Sequence, residues 1–278
     1  MPYDIIILAG QSNAMGNGDG SYSGKLDLNE VYEIIDKNPS SVYDDKDGNP
    51  VLDIIMPVAC DFRVAQEREY NETKTLADLS LSFASNYAKN DCLKDGNKLL
   101  IVKTAVGGTG FTKKQWGVGA PLYERLCQMV DYALQLEEGS RIVAMLWHQG
   151  EHDAWEKPER TYEERYDFYY HNFYEQCLAI RTRYSAWNFP IIAGSFSPSW
   201  RYGIEKPDCC LAIYNATKAV LNTLGKGAFV SSEGLTCNAQ AIGNGDDLHF
   251  SRQGLYDFGD RYFCAYQKII EGNSVSED

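Results

Sequence analysis

Four short blocks carry residue types able to perform acyl transfer: Gly10-Gln11-Ser12-Asn13, Gly107-Gly108-Thr109-Gly110, His148-Gln149-Gly150-Glu151-His152-Asp153 and Asp246-Asp247-Leu248-His249. A serine hydroxyl attacks a carbonyl well only when a nearby base takes its proton. His249 suits that task, because imidazole titrates close to neutrality. Asp246, three residues earlier, can turn back through a tight loop and accept the Nδ1–H of the same ring, fixing its tautomer and stabilising the imidazolium. Asp247 is the other aspartate in reach, and the i−3 position favours Asp246. The tetrahedral intermediate needs hydrogen-bond donors, for which the Ser12 N–H, the Gly107 N–H and the Gln149 side-chain amide are candidates. Gln11, Asn13, Gly108 and Glu151 flank these groups as candidate supports, Glu151 by bonding backbone N–H groups that hold the Ser12 loop.

Each block alone has a plainer explanation. Gly-Gln-Ser-Asn is also a strand-to-helix turn with Ser12 as N-cap. The glycine block lacks the lysine of a phosphate-cradling loop, and a lone histidine is more often structural than catalytic. Their combination in order, each at a strand end, favours a serine nucleophile with a base and an oxyanion site. Glu151 and Asp153 also suggest the carboxyl pair of a glycoside hydrolase, but that chemistry leaves Ser12 and the Asp-x-x-His block idle. Trp116, Trp155 and Trp200 fall in expected loops near the same rim, where flat faces can stack on sugar rings. His152 is expected as an exposed neighbour.

The elements that must position these blocks follow from the hydrophobic pattern. Apolar runs at 3–8, 98–104, 142–147, 190–193 and 228–230 read as strands buried on both faces. Helical periodicity spans 76–89, 122–137, 161–183, 211–224 and 252–270. Their alternation implies right-handed crossovers and an α/β fold, a three-layer α/β/α sandwich with a mainly parallel sheet of about five strands. Ligands of such sheets bind at the carboxyl ends of the strands, where the four blocks lie. Residues 17–61 break the rhythm and are expected as a loop-rich insertion, with Asp47-Gly48 turning a small hairpin between Val42-Tyr43 and Val51-Leu52. A polar tail covers 271–278, and residues 1–278 are expected to form a single domain.

The net charge of −13 disfavours nucleic acid and anionic membranes as partners. It favours a neutral ligand over a strongly anionic one, an expectation that one local arginine would reverse. No apolar run approaches the roughly 20 residues of a membrane span, and no basic, apolar leader opens the chain. These features imply a cytoplasmic protein, or a secreted one whose leader has been removed. The eight cysteines, at 60, 92, 127, 177, 209, 210, 237 and 264, show no zinc spacing. Several lie in apolar helical patterns, as buried thiols do.

The order Gly-x-Ser-Asn, a glycine block, an amide-bearing block and Asp-x-x-His resembles the SGNH hydrolase superfamily. Within it, Gly10–Asn13, Ala105–Thr109, Trp147–Glu151 and Asp246-x-x-His249 resemble carbohydrate esterase family six, the sialate O-acetylesterase-like and acetylxylan esterase-like proteins. The resemblance runs from residue 10 to residue 249. It implies an SGNH (flavodoxin-like) fold, a Ser12–His249–Asp246 triad, and an oxyanion hole of Ser12, Gly107 and Gln149. The implied reaction releases acetyl groups from the hydroxyls of an acetylated carbohydrate, with water as acceptor and no metal or cofactor. Two positions depart from the superfamily's usual pattern: Gln149 stands where many members have asparagine, and Asp247 where glycine usually follows the catalytic aspartate. The Gly-x-Ser-x-Gly elbow of α/β-hydrolases is absent. The alternatives are an esterase or thioesterase acting on a non-sugar acyl group, a glycan-binding protein, and a glycoside-hydrolysing one.

Overall fold

The computed structural model describes residues 1–272 apart from 39, 47–48, 158, 186–187 and 204–206. The N-terminal part runs β1 (Tyr3–Gly10), α1 (Ser12–Met15), β2 (Val31–Asp36), β3 (Ser41–Asp44), β4 (Pro50–Asp53), β5 (Cys60–Val64), β6 (Arg68–Asn71) and β7 (Lys74–Leu76). It continues with α2 (Leu79–Lys89), β8 (Lys98–Lys103), α3 (Pro121–Gln135), β9 (Arg141–His148), α4 (Glu151–Trp155) and α5 (Tyr162–Arg183). The remainder is β10 (Ile191–Gly194), α6 (Pro198–Gly203), α7 (Pro207–Leu224), β11 (Gly227–Val230), α8 (Asn238–Ile242) and α9 (Arg252–Ile270).

One sheet, ordered β11-β10-β9-β1-β8-β2-β5, divides two helical layers. All its neighbours pair parallel except β2 and β5. Because successive strand residues face opposite sides, Ile5, Ile7 and Ala9 of β1 pack with α3, α5 and α7, while Ile6 and Leu8 pack with α2 and α9. Strands buried this way on both faces explain the uninterrupted apolar runs.

The sheet has seven strands, not about five, and the difference lies in the stretch expected to be loop. Residues 17–61 supply β2 and the first residues of β5, which extend the sheet beyond β8. Glu33 and Asp36 interrupt the apolar pattern of β2, so it does not read as a buried strand. Both acids are nevertheless buried, because their partners come from other elements: Arg63 of β5 and Lys103 of β8 each reach Glu33 at 2.7 Å, and Arg125 of α3 reaches Asp36 at 3.2 Å. A buried charge is tolerated only when so paired. β3 and β4 do pair as a hairpin; the Asp47-Gly48 turn between them lies outside the described residues, as does most of the expected tail. All eight cysteines are free thiols. Among the described residues, no helix is long and apolar enough to cross a membrane.

Candidate active site

The site is built where β1 and β9 end side by side. Gly10 closes β1 at φ 129°, and a Cβ there would sit 2.0 Å from the His148 carbonyl oxygen, so only glycine fits. The tight approach lets Gln11 N–H donate to that carbonyl at 2.9 Å and turns the chain directly into α1. Gln11, not Ser12, occupies the N-cap position, and it makes no side-chain cap. Ser12 is the first helical residue, and its hydroxyl is left for other partners.

Its partner is His249. The imidazole Nε2 lies 2.9 Å from Ser12 Oγ, while Nδ1 lies 2.9 and 3.1 Å from the two Asp246 carboxylate oxygens. His249 N–H also donates to Asp246 Oδ1 at 3.1 Å, the tight turn-back that the three-residue spacing suggested. Asn238 Nδ2 donates to Asp246 Oδ2 at 3.0 Å. Burial would raise the Asp246 carboxyl, but the Asn238 amide and His249 outweigh it and hold the group below the usual value. Asp247 does not face the ring; its backbone carbonyl accepts from Ser197 Oγ at 2.6 Å.

Asn13 locks the two halves together. Its amide donates to Glu151 Oε1 at 2.8 Å and to Leu248 O at 3.3 Å, and its Oδ1 accepts from Phe250 N–H at 3.1 Å. The residue after Ser12 therefore grips the backbone on both sides of His249. Glu151 supports the Ser12 loop through this side-chain amide, not through the backbone N–H groups expected, and also meets His148 Nε2 at 3.0 Å. Burial opposes ionisation of Glu151, yet the neighbouring His148 and the Asn13 bond keep its pKa low.

Gly107 lies against Ser12: a Cβ on it would come 3.6 Å from Ser12 Cβ. Neither the Ser12 nor the Gly107 N–H meets an acceptor among the described residues. Gly108 follows at φ 69° and is exposed. Gln149 differs from expectation. Its Nε2 faces Asp153 Oδ2 at 2.7 Å and both Gln11 Oε1 and Thr109 O at 3.1 Å, so two hydrogens are already claimed by three protein acceptors. Gln11 Oε1 also accepts from the N–H groups of Gly150 and His152, tying the turn at Ser12 to α4.

Glu151 and Asp153 do not form a carboxyl pair around a substrate. They are 2% and 1% exposed, and Asp153 accepts from Gln149 and from the N–H groups of Phe111 and Thr112, holding the glycine block against the β9 loop. His152 is half-buried instead of exposed. Trp116 and Trp200 are core residues, Trp116 donating to Thr109 Oγ1 at 3.0 Å. Trp155 alone of the three tryptophans is open, 65% exposed and stacked on Trp200. Sequence reasoning missed Asn238 as the support of Asp246; it lies on α8 with no motif around it. Among the described residues, no cluster of three His, Cys, Asp or Glu side chains could hold a metal ion.

A family profile described as carbohydrate esterase, sialic acid-specific acetylesterase matches residues 2–268. The chain belongs to this family. Its members are carboxylic ester hydrolases, and the residues matched include all four blocks of the site. A probable carbohydrate esterase of Arabidopsis thaliana is 27% identical over 170 residues, 55% of this chain and 55% of that relative, so the match spans about half the relative's length. Solved structures similar in fold include NanS (TM-score 0.70, 19% identity, 98% of each chain covered) and an Arabidopsis thaliana protein (0.63, 19%, 96% of this chain and 99% of that one). A carbohydrate acetylesterase from Xanthomonas citri also aligns (0.60, 14%), covering 98% of this chain and 57% of that one.

Proposed function

We infer that the chain is a serine esterase, with residues 1–278 as a single esterase domain, that removes O-acetyl groups from carbohydrate, sialic acid foremost, through an acyl-enzyme on Ser12. The observation that carries this reading is the continuous Ser12–His249–Asp246 hydrogen-bond chain beside two uncommitted N–H groups. In the first step Ser12 Oγ bonds to the acetyl carbonyl carbon as its proton passes to His249 Nε2. The oxyanion is met by the Ser12 and Gly107 N–H groups, and the loss of one such donor typically costs about 2.7–4 kcal/mol of barrier. Gln149 joins them only by surrendering a bond to Gln11, Thr109 or Asp153. Collapse breaks the bond to the sugar oxygen, which leaves with the proton from His249. Water then attacks the acetyl-serine with His249 again as base, releasing acetate and restoring Ser12. Asp246 keeps the ring in the tautomer that presents Nε2 to Ser12.

The test is hydrolysis of p-nitrophenyl acetate by the wild-type chain and by Ser12→Ala. The wild type turns over and the variant, with an unchanged circular dichroism spectrum, loses essentially all turnover; full activity in Ser12→Ala would refute the assignment. Relative rates on 9-O-acetyl sialic acid, acetylated xylo-oligosaccharide and butyryl esters then rank the ester substrates, with the sialic acid ester expected fastest. Preference for the butyryl esters would favour the non-sugar alternative.

A further inference from the structure

Next to Ser12 opens a cleft of about 670 Å³ whose near wall is Ala14, Met15 and Ala105. Met15 joins the cleft to the reacting centre: its Cε lies 3.3 Å from where a Cβ on Gly107 would be. The far wall is unusual for a chain of net charge −13, because it carries Lys37, Arg63, Arg68, Lys103 and Arg125. Four of these cations are matched by carboxylates. Arg63 meets Glu33 at 2.7 Å, Lys103 meets Glu33 and Asp78 at 2.7 and 2.8 Å, Arg125 meets Asp36 at 3.2 Å, and Lys37 meets Asp61 at 3.6 Å. Glu69, the remaining acid of the wall, accepts from Gln66 Nε2.

Arg68 is different. Among the described residues no carboxylate pairs with it, and its bonds go to neutral acceptors: Nε donates to Gly16 O at 2.8 Å and Nη2 to Asn17 Oδ1 at 2.7 Å. These two contacts aim the guanidinium without neutralising it, and Nη1 makes no hydrogen bond among the described residues. Its half-buried setting has a cost: desolvation pulls the Arg68 pKa below its ordinary value, with Tyr70 and Asp78 acting the other way. A fixed, partly desolvated and unpaired guanidinium gains most from a planar oxyanion able to bind its fork. Gly16, to which Arg68 is anchored, caps the end of α1, and its N–H donates to the Ser12 carbonyl at 3.1 Å. Ala14, Met15 and Arg68 line the one cleft, so a ligand in it meets Arg68 beside the residues that follow Ser12.

We propose that Arg68 docks the carboxylate of an acidic sugar in this cleft while the acetyl ester of the same molecule lies at Ser12. This deepens the esterase reading above and rests on it for the location of the ester. It also makes Arg68 the local arginine that reverses the preference for neutral ligands set by the overall charge.

Binding separates this claim from turnover. N-acetylneuraminate and its methyl ester, which differ by the carboxylate charge and one methyl group, are titrated calorimetrically into the wild-type protein, Arg68→Gln and Arg68→Lys. The wild type is expected to bind the free acid about tenfold or more tightly than the methyl ester, with the ratio shrinking as salt is added. Arg68→Gln brings the ratio to about one, and Arg68→Lys retains part of it because a point charge replaces the fork. Equal binding of acid and ester by the wild type overturns the proposal without any variant, as does failure of the wild type to bind the acid. A ratio preserved in Arg68→Gln overturns it too. None of these outcomes bears on the Ser12 test, which p-nitrophenyl acetate decides independently.

Discussion

The two flanks of Ser12 are built by opposite rules. On the β9 side, His148, Gln149, Glu151 and Asp153 are almost wholly buried, and most of their polar atoms bond one another, Gln11 and Asn13, and the glycine block, with His148 Nδ1 and Glu151 Oε2 left without a hydrogen bond among the described residues. On the β2–β5 side the polar groups line an open cleft, and one cation there, Arg68, has no carboxylate partner among the described residues. A dense buried network is stiff, because breaking any bond strands a desolvated group. That flank fixes the positions of Ser12 and His249. The open flank has volume and unspent charge, the properties that select a ligand.

Substitutions on the two flanks should therefore fail differently. The largest effect is expected at the proposed triad. Asp246→Asn keeps the shape but no longer holds the His249 tautomer, and kcat should fall roughly 10⁴-fold with KM little changed; steady-state kinetics that retained more than a tenth of wild-type kcat would remove Asp246 from the mechanism. Next comes the stiff flank. Asn13→Ala strands Phe250 N–H and part of Glu151, and should lower kcat about 10–100-fold while costing about 1–3 kcal/mol in urea unfolding. A stability loss with unaltered kcat would mean that Asn13 holds the fold and not the base.

A smaller effect appears in acid. The Asp246 pKa is lowered in the folded chain from 3.8, so the unfolded chain binds the proton more readily. The resulting stabilisation is complete above pH 3.8 and is lost as pH falls through the lower folded value. Melting temperatures from about pH 5 to pH 3 should thus drop less steeply for Asp246→Asn than for wild type, and parallel curves would contradict the shift. The smallest effect is expected at Trp155, the exposed ring at the end of α4. Trp155→Ala should raise KM for an acetylated oligosaccharide about two- to tenfold and change stability by no more than about 0.5 kcal/mol. An unchanged KM would leave sugar selection to the open flank alone.

How much of this was legible in advance depended on the range of the interactions. β1, β8 and β9 and the long helices could be read locally, since burial on both faces or on one stripe leaves a periodic trace in consecutive residues. The four blocks were legible because residue type, order and strand-end position constrain one another. β2 was not: Glu33 looks like a loop residue until Arg63 and Lys103 arrive from neighbouring strands. Trp116 and Trp200 were misplaced for the converse reason, since a large aromatic outside a long periodic run, as Trp116 is and as Trp200 is on the short α6, gives no sign of whether the core lies above or below it.

Residue type and spacing by themselves determined the α/β architecture, the candidate nucleophile and base, and the three-residue turn that lets Asp246 reach back to His249. Tertiary structure decided what those residues do for one another. It directed the Gln149 amide inward to Gln11, Thr109 and Asp153, used Asn13 to clamp both sides of His249, and left Arg68 as the unmatched cation of the cleft. Such outcomes depend on groups up to 237 positions apart, as with Ser12 and His249. A local pattern cannot encode them, because hydrogen-bond and charge satisfaction is settled only when the distant partners are brought within about 3 Å.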